Sequence, residues 1–157
     1  MTPWLDAVYH LRNMGYSLTV HDEKLRYAYR GGGNPQPEEI KPLLGIVKTH
    51  RGEILNDPFF LIEATIEDIN RGWHPGTLEW VKRSRPVDWK RMVALEAMIN
   101  GKALTGDIEG LRKALEKYRG LILAMVEAFS SKAEQTTLLN TLKKGGKTDE
   151  ETYHSQL

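Results

Sequence analysis

The chain has 157 residues, with 22 basic and 21 acidic side chains, 40% hydrophobic residues and no cysteine. This length suffices for one domain, or two very small ones, with a hydrophobic core that is stable without covalent cross-links. The lack of cysteine excludes thiolate zinc sites, iron–sulfur clusters, disulfides and thiol nucleophiles. A net charge of +1 excludes a global field that attracts nucleic acid or membranes, so any such attraction must come from a local patch.

The N-terminal sequence predicts a cytoplasmic protein. Its first six residues lack the basic stretch and apolar core of a signal peptide. Elsewhere no apolar run approaches the roughly 18 residues that span a bilayer. We therefore expect no contact with a membrane.

The first 30 residues change from a helical period to an alternating one. A short amphipathic helix ending at Gly15 is predicted from four apolar residues at helical spacing: Trp4, Leu5, Val8 and Leu11. Alternation then predicts a β-hairpin that turns over residues 21–24. One face of the hairpin is apolar: Leu18, Val20, Leu25, Tyr27 and Tyr29. The opposite face is polar, and mostly basic on the second strand: Ser17, Thr19, Lys24, Arg26, Ala28 and Arg30.

A glycine- and proline-rich loop separates the hairpin from the next helical segment. Glycines and prolines in residues 31–36 prevent a strand or helix from forming there. Helical spacing resumes after Pro37, and the glycines Gly45 and Gly52 leave open whether one helix or two follow. Asn56, Asp57 and Pro58 are the next break, so the first module is predicted to end at residue 57.

The remainder of the chain is predicted to be helical. A first helix ends at Arg71, and a short one begins at Thr77. A third helix, capped by Asp88, runs to a break formed by Asn100-Gly101 and Thr105-Gly106-Asp107. The most regular apolar pattern follows, with spacings of three and four residues: Ile108, Leu111, Leu115, Tyr118, Ile122, Met125 and Phe129. Three heptads do not require a coiled coil, so we favour a core helix of a small bundle over a dimer zipper.

These patterns predict an α+β fold that is mostly helical. A small αββαα module occupies residues 1–57, and a bundle-like helical region occupies residues 58–132. Residues 133–157 are polar and rich in lysine and glycine, and they are predicted to form a disordered tail, in which residues 137–142 can add a turn or two of helix.

Short motifs in the first module resemble a known family. The chain reads LDAVYHLRNMGYSLTVHDEKLRYAYRGGG, then a proline and an acidic helix start, then LLGIVKTHRGEIL. This sequence pattern is similar to that of the TubC N-terminal docking domain. The matching positions are Leu18, Val20, Leu25, Arg26, Tyr27, Lys48, Glu53, Ile54 and Leu55. The resemblance covers about the first third of the chain.

The resemblance implies an αββαα module, often homodimeric, whose hairpin accepts a short linear segment of a partner protein. In that family the peptide lies along the second strand, and its acidic side chains meet basic residues there. Such β-augmentation draws affinity from main-chain hydrogen bonds and specificity from alternate side chains. The corresponding peptide-binding candidates are Lys24, Arg26, Ala28 and Arg30. In assembly-line synthetases the domain precedes a large enzyme, whereas about 100 residues without a synthetase follow here.

Residues 71–91 support an alternative function. They contain six basic against two acidic residues, and three of the four tryptophans. Cations bind phosphates and indole rings stack on unpaired bases, although tryptophans also commonly pack helix against helix. The nucleic-acid candidates are Trp80, Lys82, Arg83, Arg85, Trp89, Lys90 and Arg91. This alternative is a DNA-binding accessory of a primase or polymerase machine, consistent with stand-alone proteins similar to the docking domain that belong to mobile elements.

Residue patterns for catalysis are not found in the sequence. The five histidines have no metal-ligand spacing, and no serine lies in a nucleophile elbow. Glu63 and Glu67 are interpreted as a solvated stripe rather than an acid–base pair. We therefore predict a non-catalytic docking or adaptor protein without metal or cofactor, and homodimerisation stays open.

Overall fold

The computed structural model describes residues 2–34, 37–141 and 153–156. Within these residues the protein is mostly helical with one small antiparallel sheet, which confirms the predicted α+β class. The elements in chain order are α1 (Pro3–Asn13), β1 (Tyr16–His21), β2 (Lys24–Tyr29), α2 (Pro37–Thr49), α3 (Arg51–Leu55), α4 (Pro58–Arg71), α5 (Thr77–Ser84), α6 (Pro86–Thr105), α7 (Ile108–Thr141) and β3 (Tyr153–Gln156). The chain forms two compact units divided between Glu67 and Asp68, and β3 belongs to the first.

The hairpin places its apolar residues on one face, as its alternation predicts. Cross-strand pairing aligns Leu18 with Tyr27 and Val20 with Leu25. Its turn is tighter than expected, because only Asp22 and Glu23 lie between the strands, with φ angles of 52° and 61°. Two successive positive φ angles define a type I′ turn, whose twist matches that of the strands it joins.

The first unit has one hydrophobic core beneath the apolar face of the hairpin. Helices α1 to α4 all contribute to it. Its buried members are Trp4, Ala7, Val8, Leu11, Tyr16, Leu18, Leu25, Ile40, Val47, Ile54, Phe60 and Ala64. The apolar stripes of the four helices and the apolar face of the hairpin are thereby buried in one shared core.

The end of the first unit differs from the predicted boundary after residue 57. Phe60 and Ala64 of α4 are 3% and 2% exposed and belong to the first core. The Phe60 ring meets the Trp4 ring edge to face, with centroids 6.4 Å apart. Helix α4 begins at Pro58 as expected, but its N-terminal turns complete the first unit.

Charged contacts join α1 to α4. Arg12 Nη1 donates to Glu63 Oε2 at 2.8 Å, and its Nε lies 3.5 Å from Glu67 Oε2. The Arg12 guanidinium also lies 5.7 Å from the centroid of the Phe60 ring. Glu63 and Glu67 keep solvent-accessible side chains, 51% and 30% exposed, as expected of a solvated stripe, and in addition both carboxylates pair with Arg12 of another helix.

Gly15 allows the chain to pass from α1 into the sheet. Its φ of +96° disfavours any residue with a side chain. A Cβ atom there would lie 2.8 Å from the Cα of Gly31. The Gly15 carbonyl accepts a hydrogen bond from the Arg30 N–H at 2.6 Å, which extends the ladder one residue beyond β2.

The helical segment after Pro37 divides in two, but neither glycine causes the break. Helix α2 continues through Gly45, and α3 includes Gly52. The interruption lies at His50, whose ring Nδ1 is 3.0 Å from Glu53 Oε1. Exposed glycines in short helices are tolerated here because packing of Val47 and Ile54 compensates for their low propensity.

The second unit is built from the end of α4 and helices α5 to α7. Helix α6 continues through Gly101, the first part of the predicted break, and ends at the second part, where Gly106 has a φ of +73°. Asp88 does not cap α6 either, because the helix begins at Pro86 and Asp88 pairs with Arg85 at 2.7 Å. Buried residues of this unit form a separate core: Ile69, Val81, Met92, Ile122, Met125 and Val126.

Helix α7 buries the predicted apolar pattern within its own unit. Leu111, Leu115, Ile122 and Met125 are all at most 7% exposed. Its first turn is capped by Asp107, whose Oδ1 accepts the Gly110 N–H at 2.9 Å. These contacts favour the core-helix interpretation over a dimer zipper.

Part of the predicted disordered tail has regular structure. Helix α7 extends to Thr141, and residues 153–156 form β3. The other residues predicted to be disordered, 142–152 and 157, lie outside the described residues. None of the helices in the described part of the chain has both the length and the apolar character that crossing a membrane requires.

The type I′ turn generates a stability prediction. Replacing Glu23 by glycine removes a side chain from a left-handed conformation and should raise the free energy of unfolding by about 1 kcal/mol. Chemical denaturation measures the change. Asn34→Gly is the control, because Asn34 is exposed in a loop and does not have a positive φ. Equal effects of the two substitutions would contradict the argument.

Candidate functional site

The backbone of β2 has one edge directed away from β1. The two-residue turn makes His21 and Lys24 a hydrogen-bonded pair, and such pairs alternate along an antiparallel ladder. Lys24, Arg26 and Ala28 therefore direct their backbone groups towards β1. The intervening residues Leu25, Tyr27 and Tyr29 direct their N–H and C=O groups to the outer edge.

The outer edge of β2 pairs with β3, the segment near the end of the chain. The two strands are antiparallel, and the register aligns Arg26 with Gln156, Tyr27 with Ser155, Ala28 with His154 and Tyr29 with Tyr153. By the same alternation, Tyr27–Ser155 and Tyr29–Tyr153 are the hydrogen-bonded pairs. The outer edge of β2 thus accommodates an extended segment of four residues.

The four predicted peptide-binding residues occupy one face of β2 and its continuation. Lys24 and Arg30 are exposed, and Arg26 is half-buried. Ala28 is only 3% exposed, so its side chain offers little surface to a partner. The polar face of the hairpin is also partly covered, since Ser17 and Thr19 are only 3% and 6% exposed to solvent.

Arg26 has an unsatisfied polar atom. Its Nε is buried and makes no hydrogen bond among the described residues. Burying a guanidinium N–H without an acceptor is unfavourable, because the group has lost its water. An acceptor oxygen from an incoming segment would satisfy it, and a carboxylate would satisfy it best.

Sequence reasoning missed β3. Tyr153–Gln156 is a four-residue strand, which is too short for an alternating pattern to be recognised. It follows a stretch rich in lysine, glycine and acidic residues, which is typical of disordered segments. A β-prone tyrosine after a threonine was the one local signal, and it is a weak one.

The predicted nucleic-acid residues lie on α5 and the start of α6. All five of their cations are exposed: Lys82, Arg83, Arg85, Lys90 and Arg91. Arg85 is held by Asp88 in the same turn. The basic character of this region therefore comes from two pairs of cations on consecutive helices.

The tryptophans of this region are engaged in packing. Trp80 lies against Phe129, with ring centroids 5.6 Å apart, and the Lys132 ammonium is 5.9 Å from the indole. Trp89 has the Lys82 ammonium 5.5 Å from its ring. Both rings are partly buried beside the second core. They are positioned as packing residues, which weakens the prediction that they stack on bases.

Among the described residues, two titratable groups have clearly shifted pKa values, and both shifts have structural explanations. The Gly110 N–H and the Lys102 side chain lower the pKa of Asp107. Burial and a hydrogen bond to Glu96 raise the pKa of Tyr118 to about 12. No group of three or more metal-ligating side chains occurs in the part of the chain that the structure describes.

Comparison with protein families, curated proteins and solved structures found no match to this chain. The resemblance to the TubC docking domain therefore depends on the motifs of residues 1–57.

The packing of Trp80 generates a second prediction. Trp80→Ala should lower the free energy of unfolding by about 3 kcal/mol, because it removes the indole between Phe129 and the second core. Leu104→Ala is the control, since Leu104 is 87% exposed and should change stability by less than about 0.5 kcal/mol. Denaturant titration compares them. A Trp80→Ala variant as stable as the control would show that the indole does not stabilise the fold.

Proposed function

We propose that the protein is a non-catalytic docking or adaptor protein whose hairpin binds an extended segment of a partner protein. The observation that supports this function best is the outer edge of β2, where a strand pairs with the hairpin. The binding mode is β-augmentation, in which the partner adds a strand to the sheet. The cytoplasm is the location that we infer for it.

Main-chain pairing alone would give such a complex little affinity. Each hydrogen bond contributes a net of about 1 kcal/mol once the lost bonds to water are counted. Ordering a flexible segment also opposes binding. A four-residue pairing therefore needs side-chain contacts, which Lys24, Arg26 and Arg30 are placed to supply.

The charge of these side chains specifies the partner. All three are basic, and Arg26 has a buried N–H without an acceptor among the described residues. A segment with carboxylates at alternate positions would place them along one face of the added strand. We therefore expect a partner segment that is extended and acidic.

Charge reversal on β2 tests this function. Random twelve-residue peptides displayed on phage are selected against the wild-type protein, and enrichment of acidic sequences is expected. The double variant Arg26→Glu/Arg30→Glu should lose at least about tenfold in affinity for the enriched peptides, since several charge contacts change sign. Fluorescence anisotropy with the synthesised peptides measures the loss.

Lys48→Glu/Arg51→Glu is the matched control, because these exposed residues of α2 and α3 change the net charge equally. It should bind the peptides as the wild type does. If both double variants lost the same affinity for the peptides, the change in net charge alone would explain the loss. That result would overturn the docking assignment. The thermal transition of each variant shows whether it has folded.

A second candidate function is nucleic-acid binding by α5 and α6. The observation that favours it is the exposure of Lys82, Arg83, Lys90 and Arg91 on consecutive helices. Against it, the tryptophans that were expected to stack on bases are packed in the second unit. Any such binding should therefore be electrostatic and independent of sequence.

Salt dependence tests the second candidate. If four cations contact phosphates, the logarithm of affinity should fall with the logarithm of salt concentration with a slope of about −3. Lys90→Gln/Arg91→Gln should halve that slope, whereas Lys113→Gln/Lys117→Gln on α7 should leave it unchanged. Anisotropy with labelled single-stranded and duplex DNA gives the slopes. Absence of binding at low salt would eliminate this candidate.

A further inference from the structure

The strand on the outer edge of β2 comes from the same chain. β3 is separated in sequence from β2 by more than 100 residues, yet it is assigned to the first unit. It uses the backbone groups of Tyr27 and Tyr29. These are the same groups that an external partner strand would use.

The segment that contains β3 shares one property with the expected partner, an acidic run, but this run precedes the strand: β3 itself has no carboxylate, and its register aligns Gln156 with Arg26. Asp149, Glu150 and Glu151 lie within four positions before it. β3 begins opposite Tyr29, which directly precedes the basic Arg30. In the sequence, an acidic run therefore directly precedes the short strand that pairs with β2, the strand that carries Lys24 and Arg26.

We propose that the C-terminal segment is an internal ligand of the hairpin. It occupies the outer edge of β2 in the same molecule, and an external segment must displace it. The occupation of the edge is independent of the docking function, whereas the displacement step rests on that function.

An internal ligand lowers the apparent affinity for an external one. A tethered segment has an effective concentration in roughly the millimolar range, so an external peptide competes at a disadvantage. If the edge is free in one molecule in ten, the measured dissociation constant is raised about tenfold. Only an external segment that binds the edge of β2 more tightly than this competing internal segment can therefore displace it.

Hydrogen exchange tests whether the edge is occupied. In the full chain, the amides of Tyr27 and Tyr29 should be protected only by β3, whereas those of Arg26 and Ala28 are protected by β1. Ser155→Pro removes a donor to the Tyr27 carbonyl and should lower protection of Tyr27 and Tyr29 by about tenfold or more. Protection at Arg26 and Ala28 should not change.

His154→Pro is the matched control. His154 belongs to a pair that is not hydrogen-bonded, so its N–H points away from β2, and proline there removes no ladder bond. Protection should stay near the wild-type value. Unprotected Tyr27 and Tyr29 amides in the wild type, or equal loss in both variants, would overturn the proposal.

Protein concentration distinguishes pairing within a chain from exchange between chains. Protection of Tyr27 and Tyr29 should be constant over a roughly tenfold dilution, because an intramolecular equilibrium does not depend on concentration. A fall on dilution, together with dimers in sedimentation, would overturn pairing within one molecule.

A synthetic peptide of residues 147–157, KTDEETYHSQL, tests the displacement step. It should bind the full-length Ser155→Pro variant at least about tenfold more tightly than it binds the wild type or His154→Pro. Equal affinities, or no binding to any of them, would overturn the internal-ligand proposal. The phage selection fails or succeeds independently, because its peptides need not resemble this segment.

Discussion

The register of the hairpin determines the rest of the first unit. With Asp22 and Glu23 alone in the turn, the pairing of β1 with β2 cannot slip by one residue without moving Leu18 and Leu25 out of the core. The same register decides which backbone groups of β2 face outwards. One local constraint thus sets both the core and the edge available for binding.

That edge exposes Tyr27 and Tyr29 backbone groups that must find partners, because an open strand otherwise pairs with whatever extended chain it meets. In this protein β3 pairs there. In the proposed function, basic side chains on β2 select the partner segment, since Lys24 and Arg30 are exposed and Arg26 has a buried N–H without an acceptor among the described residues. The proposed docking and the proposed internal ligand therefore depend on the same geometry.

The basic and aromatic segment of α5 and α6 shows why composition alone leaves two interpretations open. Clustered tryptophans and cations in a sequence are typical both of a base-stacking surface and of a packed helix interface. Tertiary contacts bear on the choice, since Trp80 meets Phe129 and Trp89 lies beside Lys82. Long-range packing partners such as Phe129 cannot be identified from the spacing of the tryptophans.

The sequence by itself determined the elements whose signal is local. Period-two alternation specified the faces of the hairpin, and spacings of three and four residues specified the buried side of α7, including Leu111 and Met125. Only the tertiary structure decided that Phe60 completes the first core, that Arg12 holds Glu63, and that β3 joins β2. Those features depend on residues that are far apart in the chain, and a four-residue strand or a single ion pair has no periodic pattern by which it can be recognised.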